Sequence, residues 1–215
     1  MLANKRALFI APHTDDVELG CGATLARCIE ECDSVTVVVF SIATQSLPKN
    51  SVPDRLKQEF INAMEVYGLP IKNLHIYDFP VRRLNYFRQD ILDNLIKLRN
   101  AIDPNLVFTP ALGDVHQDHE VISQESIRAF KSATVLGYEL PWNHFHFQSR
   151  AFIDVTCDHL HMKIAALKAY ETQVEKGRPY FDNDFIMGLA KVRGVQQGSQ
   201  YAEAFDLITL KIGFE

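Results

Sequence analysis

Six residues in two short stretches have the types and spacing for metal-assisted acid–base chemistry. The first stretch is Ala11-Pro12-His13-Thr14-Asp15-Asp16-Val17-Glu18-Leu19-Gly20, with one imidazole and two adjacent carboxylates. The second is His116-Gln117-Asp118-His119, two imidazoles with a carboxylate between them. Imidazole nitrogens and carboxylate oxygens are ordinary zinc ligands, and two histidines with one carboxylate leave a position open for water. The same set serves non-haem iron. Each stretch alone is ambiguous. An aspartate ahead of a helix can be a simple cap, but capping occupies one carboxylate and leaves His13 and the second acid unused. If the strands before the two stretches are neighbours in a parallel sheet, His13, Asp16 and one of His116 or His119 converge.

The surrounding segments supply that arrangement. Apolar runs at Arg6–Pro12, Ser34–Phe40, Leu74–Phe79, Leu106–Pro110, Thr134–Leu140, Phe152–Val155 and Phe205–Ile212 read as strands. Helical patterns occupy about Gly22–Glu31, Asp54–Tyr67, Tyr86–Ile102, Glu120–Lys131, Asp158–Lys176 and Phe185–Val192. The unbroken run Val35-Thr36-Val37-Val38-Val39 predicts a strand buried on both faces. Strand–helix alternation predicts one α/β domain over residues 1–215, with a mostly parallel sheet in a Rossmann-like three-layer arrangement. In such sheets ligands bind beyond the carboxyl ends of the strands, where both stretches fall.

Bulk properties narrow the function. The chain has 215 residues, 47% hydrophobic and 23% charged, as in an ordinary globular protein. A net charge of −5 and the lack of a basic cluster give no reason to expect nucleic acid or an anionic membrane. No apolar run reaches the roughly 20 residues of a membrane span. The N-terminus leads directly into a strand without a signal-peptide pattern, so a cytoplasmic protein is expected. Cys21, Cys28, Cys32 and Cys157 form no Cys-x-x-Cys pair and read as reduced thiols. Gly20-Cys21-Gly22 lacks the third glycine of a dinucleotide fingerprint, and three nearby acids would repel a pyrophosphate. These glycines read instead as sites of close helix–sheet packing.

The first stretch resembles the His-Pro-Asp-Asp signature of the PIG-L/LmbE-type N-deacetylases, and His116-Gln117-Asp118-His119 resembles their His-Pro-Asp-His motif. Arg55-x-x-x-Glu59, Asp103 to Phe108 and Tyr201 to Phe205 follow in the family's order. Thr14 and Gln117 each replace a usual proline, and neither change removes a ligand. The resemblance implies a zinc-dependent hydrolase that removes an N-acetyl group from a small amino sugar or GlcNAc conjugate. It implies Zn²⁺ (or Fe²⁺) on His13, Asp16 and His119, and Asp15 as general base for the metal-bound water. His116 would be the general acid or would stabilise the oxyanion, and Asp118 would orient a histidine. It also implies a substrate-binding arginine near Arg55, and homo-oligomers are common in the family. A hydrolase of another amide or acyl bond, or a non-catalytic sugar- or nucleotide-binding module, are the alternatives. The complete set of acid, base and ligands argues against mere binding.

Other residues carry weaker signals. Arg55 could equally pair with Glu59 one helical turn on. Arg82 and Arg83 read as a solvated loop that could line the pocket. Trp142, His144 and His146 lie in an aromatic segment that reads as structural, with a sugar platform as the functional alternative. His159 and His161 are expected to face solvent, and His75 to be a satisfied strand histidine. Glu203 reads as either structural or supporting the pocket.

Overall fold

A computed structural model describes residues 2–47 and 52–212. Residues 48–51, within the loop expected over 41–53, lie outside the described residues. The elements in order are β1 (Arg6–Ala11), α1 (Asp16–Glu31), β2 (Ser34–Val39), α2 (Arg55–Val66), β3 (Leu74–Ile76) and α3 (Arg88–Ile102). They continue with β4 (Leu106–Pro110), α4 (Gln117–Ala129), β5 (Thr134–Tyr138), β6 (Ala151–Asp154), α5 (Cys157–Lys168), α6 (Glu171–Val174), α7 (Asn183–Gln197) and β7 (Ala202–Thr209).

The seven strands form one sheet in the order β3-β2-β1-β4-β5-β7-β6. The first five are parallel, and β7 runs antiparallel to both β5 and β6. The chain winds outward from β1 through β2 to β3, then returns to the other side of β1 as β4. Between β1 and β4 the direction of winding reverses, and a crevice opens there at the strands' carboxyl ends. Residues 7–9 of β1 pair with 106–108 of β4, so the two motif loops leave the same edge side by side.

Strand periodicity explains the three layers. Ala7, Phe9 and Ala11 join Val37, Phe108 and helices α1, α2, α5 and α7 in one core. Leu8 and Ile10 join Val38, Val107 and helices α3 and α4 in the other. Neighbouring strands bury both faces, and Phe9 stacks on Phe108 at 4.3 Å.

Helix α1 begins at Asp16, earlier than its pattern suggests, and is kinked at Cys21 (φ −151°, ψ 33°). The segment expected from Gly22 is its second half. The kink frees backbone groups inside the protein, and a distant ion pair satisfies them. Glu203 of β7 accepts from the Ala23 and Thr24 N–H groups (3.3 and 2.6 Å). Lys163 of α5 donates to Leu19 O (2.9 Å) and to Glu203 (2.7 Å). An anion thus caps a new helix start while a cation holds the preceding carbonyl, as the helix dipole favours. A Cβ at Gly20 would overlap the Tyr138 ring, and one at Gly22 would lie 2.6 Å from the Tyr67 hydroxyl oxygen. Close packing therefore accounts for both glycines.

Two expectations are corrected. The single helix over Asp158–Lys176 is two helices, α5 and α6. Its cap is Thr156, whose side chain accepts from His159 N while His159 Nδ1 accepts from Thr156 N (both 3.2 Å). His159 is therefore buried rather than solvent-facing, and its other nitrogen meets Glu30 at 3.0 Å. The four cysteines are free, as expected.

Candidate metal centre

The loop after β1 carries His13, Asp15 and Asp16 around the start of α1. Asp15 occupies the N-cap position but makes no side-chain capping bond. Asp16 reaches backwards, accepting the His13 backbone N–H on Oδ2 (2.8 Å). Neither carboxylate is therefore used as a helix cap. Tyr170, between α5 and α6, braces this loop, donating to Thr14 O or Glu18, both of which its hydroxyl touches. Burial raises Glu18 to about 8 despite that Tyr170 contact.

The loop after β4 carries Asp114, His116, Asp118 and His119. His116 is the N-cap of α4, its Nδ1 accepting from Asp118 N at 3.2 Å. A nitrogen that accepts from a backbone N–H holds no proton, so the proton of His116 sits on Nε2.

Three atoms from the two loops meet. His13 Nδ1 lies 3.1 Å from Asp16 Oδ2. His119 Nε2 lies 3.4 Å from Asp16 Oδ2 and 3.3 Å from His13 Nδ1. Tetrahedral ligands 2.0–2.1 Å from an ion stand about 3.3–3.4 Å apart, so this donor set fits a zinc-sized cation. The remaining nitrogens are held by carboxylates: His13 Nε2 by Asp118 Oδ2 (2.9 Å) and His119 Nδ1 by Asp114 Oδ2 (2.7 Å). Such partners fix the tautomer and turn the free lone pair toward a metal. A wider triad also exists, in which one nitrogen each of His13, His116 and His119 lie within 4.8 Å of one another. The narrower triangle has the better ligand spacing and brings in a negative charge.

Both supporting carboxylates are tied down in turn. Asp118 accepts the backbone N–H groups of Arg82 (2.5 Å) and Leu84 (3.2 Å). Asp114 accepts from His116 N (2.8 Å) and from Asn143 Nδ2 (3.3 Å). The sequence reading missed Asp114. A carboxylate two residues before the second motif was its only signal, and its task depends on the Pro141–Asn143 turn packing against it.

Charge is concentrated here. Burial works to lower His13 and His119, but Asp16 with Asp118, and Asp16 with Asp114, outweigh it and raise them to about 9 and 10. Burial also opposes ionisation of Asp16, but the two imidazoles hold it well below the usual carboxylate range. Burial and the Asp16 charge raise Asp15 to about 6. Burial, then His119 and His13, push His116 down to about 4. One pair of adjacent aspartates is thus split into a strong anion and a proton acceptor near neutrality.

A family model described as PIG-L, GlcNAc-PI de-N-acetylase, matches residues 8–130. The chain belongs to the PIG-L family. Both family motifs, and all six residues first singled out, lie within the matched region. An uncharacterised deacetylase, YaiS, of Escherichia coli K12 is 33% identical over 178 residues, covering 79% of this chain and 94% of that protein. The N,N'-diacetylchitobiose deacetylase of Pyrococcus horikoshii shares the fold, with a TM-score of 0.74 at 20% identity over 93% of this chain and 82% of that one. So does GalB, a 4-carboxy-2-hydroxymuconate hydratase of Pseudomonas putida KT2440, with a TM-score of 0.77 at 18% identity over 100% and 99% of the two chains.

The remaining sequence signals fall around this centre or outside it. Arg55 is half-exposed and engages Glu59 at 3.3 Å, with Glu171 and Glu175 at 3.6 and 3.7 Å. Trp142 stacks on Tyr180 at 3.9 Å and 15°. His144 Nδ1 donates to the Leu140 carbonyl oxygen (2.7 Å). Among the described residues His144 and His146 join no metal-binding group, and no helix is long and apolar enough to cross a membrane.

Proposed function

We propose that the whole chain, residues 1–215, is one zinc-dependent N-deacetylase domain acting in the cytoplasm on a small amino sugar or GlcNAc conjugate. The observation that carries this reading is the triangle of His13 Nδ1, Asp16 Oδ2 and His119 Nε2 with carboxylates behind both imidazoles. These three residues are the proposed metal ligands. When bound, zinc would lower the pKa of a water and polarise the acetyl oxygen; Fe²⁺ would serve the same donor set.

The protein's own groups supply the rest. Asp15, outside the ligand triangle, takes the proton of the attacking water. In the metal-free protein burial and the Asp16 charge raise Asp15 to about 6, a carboxylate that is ionised at neutral pH and more basic than an ordinary one. His116 presents Nε2–H to the acetyl oxygen as negative charge develops on it. With Nδ1 already accepting the Asp118 N–H, that ring has no free nitrogen for a second proton, so Asp15 itself passes the proton it took from the water to the departing amine. Asp118 and Asp114 keep the ligand imidazoles in their tautomers. Arg55 is the proposed substrate arginine, and its longer contacts to Glu171 and Glu175 are the ones a substrate would replace.

A hydrolase of another acyl bond, or a hydratase such as shares this fold, would use a similar centre, because fold alone does not set the reaction. Incubating the zinc-loaded protein with N-acetylglucosamine conjugates, and measuring free amine with acetate, separates these readings. Equal amounts of amine and acetate are expected. A protein that carries zinc but releases neither would refute the deacetylase assignment.

A further inference from the structure

Helix α1 breaks at Cys21, inside the core, and a buried ion pair stands at the break. An unbroken helix would pair Leu19 O with the Ala23 N–H and need neither charge. Here Lys163 Nζ donates to Leu19 O (2.9 Å), and Glu203 accepts from Ala23 N (3.3 Å) and Thr24 N (2.6 Å). Lys163 and Glu203 are each only 5% exposed. A buried ion pair stabilises a fold no better than apolar packing of the same volume, so stability gives no reason for the break.

The piece of helix before the break gives one. It is a single turn that carries Asp15 at its cap, Asp16 at its first position and Leu19 near its end. Leu19 N–H donates to Asp15 O (3.0 Å), so Leu19 joins Lys163 to the Asp15 main chain. The two aspartates depend on this turn to different degrees. Asp16 is tied a second time, through Oδ2 to the His13 N–H (2.8 Å). Asp15 makes no side-chain capping bond, and its carboxylate takes its direction from the backbone of the turn.

We propose that Lys163 is a positioning residue for the reaction: by holding Leu19 O it fixes the first turn of α1, and through that turn the direction of the Asp15 carboxylate. Glu203 is its counter-ion and the cap of the resumed helix. The proposal rests on the deacetylase reading, which makes Asp15 the base.

Three variants separate positioning from stability. Glu203→Gln keeps the Lys163 nitrogen on Leu19 O and an oxygen for the Thr24 N–H. Lys163→Met removes the nitrogen and leaves Glu203 a buried, unpaired charge. Lys163→Met with Glu203→Gln removes the nitrogen and leaves no charge. Amine release is measured on the zinc-loaded proteins, below the melting temperature of each. Glu203→Gln is expected to keep kcat close to wild type. Both Lys163 variants should lose about 10–100-fold in kcat, as a displaced catalytic group does, with KM unchanged and one zinc per chain. The double variant should melt higher than Lys163→Met and yet turn over no faster. Turnover that rises with melting temperature across the three, wild-type kcat in the double variant, or a loss carried by KM or zinc content would overturn the proposal. Should Lys163→Met not fold, the double variant against Glu203→Gln decides.

Amide hydrogen exchange is a second readout that needs no substrate. In the double variant the Leu19 N–H should exchange at least about tenfold faster, the worth of a hydrogen bond from a charged donor. The Thr24 N–H should stay as protected as in Glu203→Gln. A wild type that releases no amine would remove the deacetylase reading, and exchange would then decide alone. Faster exchange at Leu19 upholds the grip of Lys163 on the turn, and unchanged exchange removes it.

Discussion

Replacing Asp114 by Asn tests how far the centre depends on its outer carboxylates. Asp114 is almost wholly buried and accepts three hydrogen bonds, from His116 N, Asn143 Nδ2 and His119 Nδ1. In Asp114→Asn the amide oxygen can serve only one side. If it keeps His116 N, an NH₂ group faces the donors of His119 and Asn143. The charge-assisted bond at 2.7 Å to His119 is lost, worth about 1.5–3 kcal/mol. The same range follows from carboxylates behind zinc-binding histidines, whose removal costs about 10–100-fold in metal affinity. The assay is competition for zinc against a chelating dye at pH 7. A loss of about 10–100-fold is expected, with catalytic turnover of the fully loaded enzyme reduced less than its metal affinity. Unchanged zinc affinity in a folded variant would show that His119 does not ligate through Nε2.

Further outcomes follow from the same geometry. Asp15→Asn should keep one zinc per chain and lose about 10²–10⁴-fold in turnover; near-full activity would remove Asp15 as base. In the metal-free protein His13 and His119 are raised to about 9 and 10, so both are protonated at pH 7 and must lose protons to bind zinc. Zinc affinity should therefore climb steeply from pH 6 to 8, with about two protons released per ion in calorimetry across buffers of different ionisation heat; no release would contradict the ligand assignment. The same two shifts give the metal-free protein stability that is present below about pH 6.5 and is lost as pH rises through about 9 to 10, readable in melting curves. Lys163→Met leaves Glu203 buried without its cation and should cost about 3–5 kcal/mol in denaturant unfolding, whereas Lys163→Met with Glu203→Gln should recover part of it.

The sheet and the two motif loops were legible in the sequence because strand runs such as Val35–Val39 are long and apolar, and the motif residues have no equally good structural use. The choice between His116 and His119 as ligand was open on spacing alone. The proposed choice of His119 rests on what each Nδ1 does: His116 Nδ1 accepts from Asp118 N, which leaves its proton on Nε2, whereas His119 Nδ1 donates to Asp114 and leaves an Nε2 lone pair facing Asp16 and His13. The start of α1 was misplaced because Gly20 and Gly22 look like breakers, while the stabilising partners of the kink, Lys163 and Glu203, are more than 100 residues away. Asp114 and the Arg82 turn were hidden for the same reason. Their roles arise from loops meeting at one sheet edge, and no local pattern encodes that meeting.

His13, Asp16 and His119 are proposed to hold a metal ion used for N-deacetylation. The most direct measurement of that role is free-amine release from N-acetylglucosamine conjugates by chelator-stripped protein titrated with zinc. No release is expected from the stripped protein, and full recovery at one equivalent of zinc. Release that persists after stripping, or that zinc and ferrous iron both fail to restore in folded protein, would contradict it.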